Sequence, residues 1–401
     1  MSTPSLVPQD ESVPPLPAGI PQNPADSPGT AHTAGRRVLP NLLVVMVAAA
    51  AGLLGGTGAL PLDPGDLLRF ALGMVAALNV HVLAGLLLGR LSGLETVWTS
   101  LGLGRWLGST ALRGRLLTFR LLPLILVNPC QVVVDRPGLR RRMWCGAAIT
   151  LLADVLATAA LVAAGGPTAW IGWGAAAVTV LLATVHPGRV TSPAWRLFRL
   201  PFGQQDQRLT EWLHDPASLA AARAAAAGRI DLARAALDAG EPSGSPRRQA
   251  VEAVVALAEG RCGEAARTAA ALRERSQAPL LRRGALQLYT AALADGIAAG
   301  HWRAADAMPS FTAALAALRA ESAAAALRGT DLAAMEALFR GQPRRAEKLA
   351  AFAATMAPDA LSRARALLTL AAAHTAAGRP ELSRAPRARS AALAPTLRTT
   401  R

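Results

Sequence analysis

A histidine at position 81 stands inside the apolar stretch NVHVLAGLLLGRLSG, Asn79 to Gly93. An ionisable side chain in a membrane-length apolar segment is costly to bury and marks a candidate functional site. The run His81-Val82-Leu83-Ala84-Gly85 has the spacing of a His-Glu-x-x-His zinc motif. In that motif two histidines one helical turn apart share a metal, and the glutamate takes a proton from the bound water. Val82 holds the general-base position and cannot accept a proton. Gly85 holds the second ligand position and has no side chain. The motif is broken at both places.

Asp154, His186 and Cys145 fall in later apolar segments, and carboxylate or neutral imidazole can ligate a metal. No two of these groups share an i, i+4 helical face, so a rebuilt metal site is not expected. His81 reads instead as a neutral imidazole hydrogen-bonded within a helical bundle, to the surroundings of Asn79 or across helices to Asp154. Asp154 has the matching pair of readings: a helix–helix partner, or a remnant polar group in a cleft. Cys130, Cys145 and Cys262 are scattered, without the spacing of a zinc site or a disulfide framework.

The elements that position these groups divide the 401-residue chain in two. Residues 36–200 are rich in Leu, Val, Gly and Trp and contain four apolar spans, about 40–60, 67–91, 143–164 and 168–187. Each approaches the roughly 20 residues needed to cross a bilayer core. Arginines flank the spans at Arg36 and Arg37, Arg105 to Arg120, and Arg136 to Arg142, whereas the turn after the first span carries Asp63 and Asp66. By the positive-inside rule both termini are cytoplasmic. This placement also explains the net charge of +16, so nucleic acid is not expected as a partner. Arg and Ala dominate and Lys348 is the single lysine, a composition that fits a GC-rich bacterial genome.

Residues 1–35 are Pro/Ser/Thr-rich and too polar to offset their ordering entropy, which predicts a disordered tail. Residues 94–135 mix β-branched side chains, glycine turns and alternation. They predict a small β-hairpin at the cytoplasmic surface with a re-entrant piece at LLPLILVNP. Tryptophans 98, 106, 144, 170, 173 and 195 lie near span ends and read as interfacial anchors.

Residues 210–395 are Ala- and Arg-rich with helical periodicity. A glycine followed five residues later by a small residue recurs at Gly228/Ala233, Gly260/Ala265, Gly300/Ala305, Gly341/Ala346 and Gly378/Ser383. This predicts helical hairpins, each ending one helix at the glycine and packing the next through the small residue, stacked as an α-solenoid. The AxG…A core is similar to tetratricopeptide repeats, whose period is about 34 residues. An Ala-rich helical bundle is the alternative.

The apolar half resembles the site-2 protease family of intramembrane zinc metalloproteases. HVLAGLLLGRLSG matches its first motif helix, with His81, Arg90 and Gly93 retained. GLGRWLGSTALRGRLLTFRLLPLILVN resembles its sheet segment, with Gly102, Gly104, Gly114 and the RLLPL of Arg120 to Leu124. RRRMWCGAAITLLADVLATAALV sits in the slot of a later helix, keeping Ala153 and Asp154, and TVHPGRVTSPAWRLFRL follows. The resemblance covers about residues 66–200. It implies a zinc held by two histidines and a later aspartate. That aspartate position falls on Ser192 or Pro193, and no Asp or Glu occurs between Asp154 and Asp206.

The expected protein is a membrane α-helical bundle of about four spans with a small β-hairpin, followed by an all-α solenoid. The expected function is a catalytically inactive, site-2-protease-like scaffold in the bacterial cytoplasmic membrane, with the zinc site lost and no cofactor. Its partners would be the lipid bilayer, a protein or peptide at the repeats, and an intact membrane protease or its substrate. A zinc metallopeptidase with a non-standard site and a component of a transport or secretion assembly remain the alternatives.

Overall fold

The computed structural model describes residues 12–20, 63–112, 114–184, 191–201, 209–322, 327 and 329–398. The first expected span, about 40–60, and His186 lie outside the described residues. Within them the chain forms fourteen helices and three strands, in two compact units that are discontinuous in sequence.

One unit spans 27–96 and 123–206. It contains α1 (Pro64–Leu88), α2 (Leu139–Ala163), α3 (Gly166–Thr184) and the short α4 (Pro193–Phe198). The first three are long and apolar enough to cross a membrane. At 1.5 Å per residue, helices of 25 residues extend about 37 Å, enough for a ~30 Å hydrocarbon core. Their most apolar stretches are only 17%, 11% and 28% buried, with Leu68, Val80, Leu87, Leu152, Leu156 and Val180 facing outward. Such faces suit hydrocarbon rather than water.

Each of these three helices packs against the other two. The α1–α3 crossing is the closest. A Cβ on Gly73 would lie 2.1 Å from the Ile171 carbonyl oxygen, and one on Gly174 would lie 2.0 Å from that of Phe70. Reciprocal glycines let the two backbones meet, the usual route to tight association where water supplies no driving force.

Strands β1 (Leu94–Leu112) and β2 (Arg115–Val134) form the expected hairpin, with the two-residue β3 (Leu213–His214) beside β2. The two strands fill the expected range, and β2 runs unbroken through LLPLILVNP, where a re-entrant piece was expected. Gly102 and Gly104 adopt φ of +90° and +84°, which lets β1 curl in mid-strand.

The other unit gathers residues 1–26, 97–122 and 207–401. The hairpin tip therefore belongs with the C-terminal helices, a departure from the linear division at about residue 200. Two tryptophans expected as membrane anchors lie in this unit. Trp106 is buried beneath the Arg363 guanidinium, 4.7 Å from its ring, and Trp98 lines an interior cavity.

The C-terminal helices form five consecutive hairpins. They are α5 (Pro216–Ala226) with α6 (Ile230–Asp238), α7 (Pro246–Ala258) with α8 (Cys262–Arg275), and α9 (Pro279–Ala298) with α10 (Ala304–Glu321). Next come α11 (Leu332–Phe339) with α12 (Pro343–Met356), and α13 (Ala360–Ala376) with α14 (Pro380–Leu393). Each first helix ends on the expected glycine at positive φ, and each ending has one hydrogen-bond pattern. Gly228 donates to Ala225 and Arg229 to Ala224; Gly260, Gly300, Gly341, Gly378 and their successors repeat it. This is the Schellman closure that only glycine adopts without strain.

The small residue five places on is fully buried at Ala233, Ala265 and Ala346, and nearly so at Ser383. In the third hairpin Ala305 is exposed and Ala307 takes its place. The cause is a longer loop, in which buried Trp302 and Arg303 delay the start of α10 to Ala304.

The first helices α5, α7, α9, α11 and α13 pack in succession, and α13 returns to α5. The Leu393 carbonyl lies where a Cβ on Gly228 would fall, and Arg398 donates to the Ala258 carbonyl oxygen at 2.9 Å. The array closes on itself, first helix to last.

Of the tail expected to be disordered, residues 12–20 are ordered against the helices, and the remainder lies outside the described residues. Ile20 joins the core cluster of α7 to α11, and Val13 and Leu16 pack against that cluster.

Arg120 fixes the hairpin tip. It donates to Ser100 Oγ (2.8 Å) and the Gly104 carbonyl on β1, and to the carbonyls of Thr355 (3.2 Å) and Ala357 (2.8 Å) at the end of α12. The cation thus sits on the negative end of a helix dipole, and burial lowers its pKa from the ordinary value. Arg120→Ala strands these carbonyls and is expected to cost about 2–4 kcal/mol. Hydrogen exchange should then show residues 97–122 losing protection before the helices do. Uniform loss across the unit would contradict this role.

Candidate functional site

Helix α1 carries His81 and Asn79, both buried, and α2 carries Asp154. His81 Nδ1 lies 2.6 Å from Asp154 Oδ2, and both side chains are about 10% exposed. The ring is thus held from a neighbouring apolar helix, one of the two arrangements expected for it. Burial among apolar helices makes each group depend on the other, because water is not there to solvate either alone.

Asn79 does different work. Its amide donates to the Val75 carbonyl at 2.6 Å, and its carbonyl oxygen accepts from the Val127 backbone N–H at 3.2 Å. Six residues on, the Gly85 carbonyl accepts from Gln131 Nε2 at 3.3 Å. Val127 and Gln131 lie four apart on β2 and so face the same way. The base of β2 therefore covers the α1 face on which Val82, between Asn79 and Gly85, also lies. A Cβ added at Gly85 would meet only Gln131 Nε2, at 3.9 Å. The space beside Gly85 thus adjoins the Gln131 amide.

Ser192 and Pro193, where the resemblance led us to expect an aspartate ligand's position, begin α4. Ser192 accepts the Trp195 backbone N–H at 3.3 Å as N-cap, and Pro193 occupies the first helical turn, where its missing N–H has no cost. Both have a sufficient structural reason to be what they are.

These residues do not fit a zinc centre. His81 and Asp154 offer two donors, already turned on each other, and Val82, Gly85 and Pro193 offer none. Among the described residues no three His, Cys, Asp or Glu side chains gather as a metal site would require. Beside the pair, the end of α1 and the start of α2 enclose a groove of about 400 Å³, with Leu88, Leu91 and Ile149 as apolar walls and Arg141 and Arg142 at its rim.

In the other unit, the five first helices surround a cavity of about 390 Å³ lined chiefly by Ala, Val and Leu, with Val97 and Trp98 of β1. Its polar groups are engaged. Arg365 pairs with Asp295 at 2.8 Å, Asp331 accepts from Thr369, and Asp359 caps α13 through Ser362 N–H. Arg247 lies over the Trp212 ring at 4.1 Å. Burial and the nearby Arg247 hold the His214 pKa down, at about 4, so its ring is neutral at pH 7.

Sequence reasoning missed Gln131, Arg120 and Tyr289, whose partners are distant in the chain. A polar side chain in the apolar run of β2, shared there only with Asn128 after Arg120, was the available signal for Gln131. No family model, curated protein or solved structure matches this chain.

Proposed function

We propose that the protein is a non-catalytic membrane scaffold of site-2-protease-like design, which engages other proteins through its apolar helices and a cytoplasmic array of tetratricopeptide-like hairpins. The observation that carries this reading is the closed His81–Asp154 pair beside Val82 and Gly85: the one surviving histidine is committed to a helix–helix contact. The mutual packing of α1, α2 and α3 supports a common bundle over a chance likeness. Five glycine-closed hairpins support the repeat reading.

On this reading both termini are cytoplasmic. Residues 12–20 and the C-terminal hairpins share one unit, which supports placing them on one side of the membrane. Three apolar helices together with the apolar sequence 40–60 make an even number of crossings. The arginine flanks assign that side to the cytoplasm. Lipid bilayer and a protein or peptide are the partners on this reading, an intact membrane protease or its substrate among them.

The test is zinc analysis of the full chain purified in detergent. Well under ~0.1 zinc per chain is expected, with no change in His81→Ala, since a single imidazole does not retain the metal. Stoichiometric zinc that disappears in His81→Ala overturns the proposal and favours a working metallopeptidase.

A further inference from the structure

The segment Ser12–Ile20, SVPPLPAGI, lies on the repeat unit in the manner of a bound peptide. It is neither helix nor strand, and Pro14, Pro17 and Ile20 are buried. The three-residue step from Pro14 to Pro17 is the period of a polyproline II helix laying one edge into a groove; a turn at Ala18–Gly19, with Gly19 at φ +78°, then carries Ile20 into the core. Two side chains read its backbone. The Tyr289 hydroxyl donates to the carbonyls of Pro14 and Pro15 at 3.0 and 3.1 Å, and Glu274 accepts the Ala18 N–H at 3.2 Å. Tyr289 is the chain's only tyrosine and is fully buried. It lies with Leu286 and Leu293 on the face of α9 opposite the one that lines the central cavity. An aromatic hydroxyl bonded to proline carbonyls is how folded domains recognise proline-rich ligands, because the preformed extended chain loses little entropy on binding.

We infer that this groove is a receptor for proline-rich extended peptides of the form V-P-P-L-P-x-x-I, and that residues 12–20 occupy it in cis as a tethered competitor. The inference deepens the partner reading of the repeat unit and is independent of the membrane site. The segment and the groove belong to one chain. Such covalent attachment gives an effective concentration on the order of 1 mM. A groove with ~10 µM intrinsic affinity is then filled about 100:1, and an outside ligand binds correspondingly more weakly.

The experiment uses the full chain in detergent and a fluorescein-labelled peptide of residues 10–22, followed by anisotropy. The wild-type chain should bind it weakly. Ile20→Asp, and separately deletion of residues 2–20, should each tighten binding at least ~10-fold by freeing the groove. Adding Tyr289→Phe to either should weaken it on the order of 5-fold, for the loss of the single hydroxyl donor that the two carbonyls share. If neither segment variant binds the peptide better than wild type, or if Tyr289→Phe has no effect, the inference fails. Blocking should not change when the wild-type chain is diluted a hundredfold. Relief on dilution places the segment in the groove of a second copy and overturns the cis assignment. These outcomes leave the zinc measurement untouched, so failure here and failure of the scaffold reading can be told apart.

Discussion

Replacing His81 with leucine is expected to destabilise the full chain by about 3–5 kcal/mol, while the double change His81→Leu/Asp154→Leu should restore most of that loss. The reasoning rests on the 2.6 Å contact between two side chains about 10% exposed, on helices with few other polar groups. Removing the imidazole leaves a buried carboxylate with neither its ring partner nor water. Removing both leaves two apolar side chains in an apolar bundle, where the exchange is near neutral. Thermal or SDS-driven unfolding in micelles reads the difference directly. A single variant as stable as the double would mean that the pair does not hold the helices together, and would reopen a chemical role for His81.

The second large effect concerns the α1–α3 crossing. Gly174→Leu should reduce the yield of folded, monodisperse protein several-fold and cost at least about 3 kcal/mol. The clash is with the Phe70 carbonyl at 2.0 Å, which cannot turn away as a side-chain tip could, so the helices must separate. Gly73→Leu meets the Ile171 carbonyl and should behave alike. Gly85→Ala is the internal comparison: its nearest neighbour is 3.9 Å away, so size-exclusion profiles should match wild type. A well-behaved Gly174→Leu, or a disrupted Gly85→Ala, would show that this crossing is not the bundle's closest contact.

Local rules made much of this architecture legible. Apolar length marked α1, α2 and α3 to within a few residues, because a bilayer-length hydrophobic run has few other uses. The glycines at 228, 260, 300, 341 and 378 marked five helix ends, because a left-handed closing residue is strained for any side chain with a Cβ. The third hairpin exposed the limit of spacing alone. Two extra loop residues around Trp302 moved the packing alanine from 305 to 307, a shift that periodicity could not anticipate. The proline-rich tail was misjudged for a related reason. Its composition cannot build a core, but three apolar residues can still dock on a core built elsewhere.

Residue types at fixed spacing were enough to show that the apparent zinc motif lacks its base and its second ligand, since Val82 and Gly85 have no chemistry that any fold could supply. The sequence alone also set the apolar helices and the hairpin ends, all of them short-range properties. Only the tertiary structure decided that His81 turns to Asp154, that Gln131 at the base of β2 reaches the Gly85 carbonyl, that Arg120 ties the hairpin tip to α12, and that the helical array closes on itself with residues 12–20 packed against it. Those contacts join residues tens to hundreds of positions apart, and their geometry depends on how whole helices and strands pack rather than on any neighbouring residue.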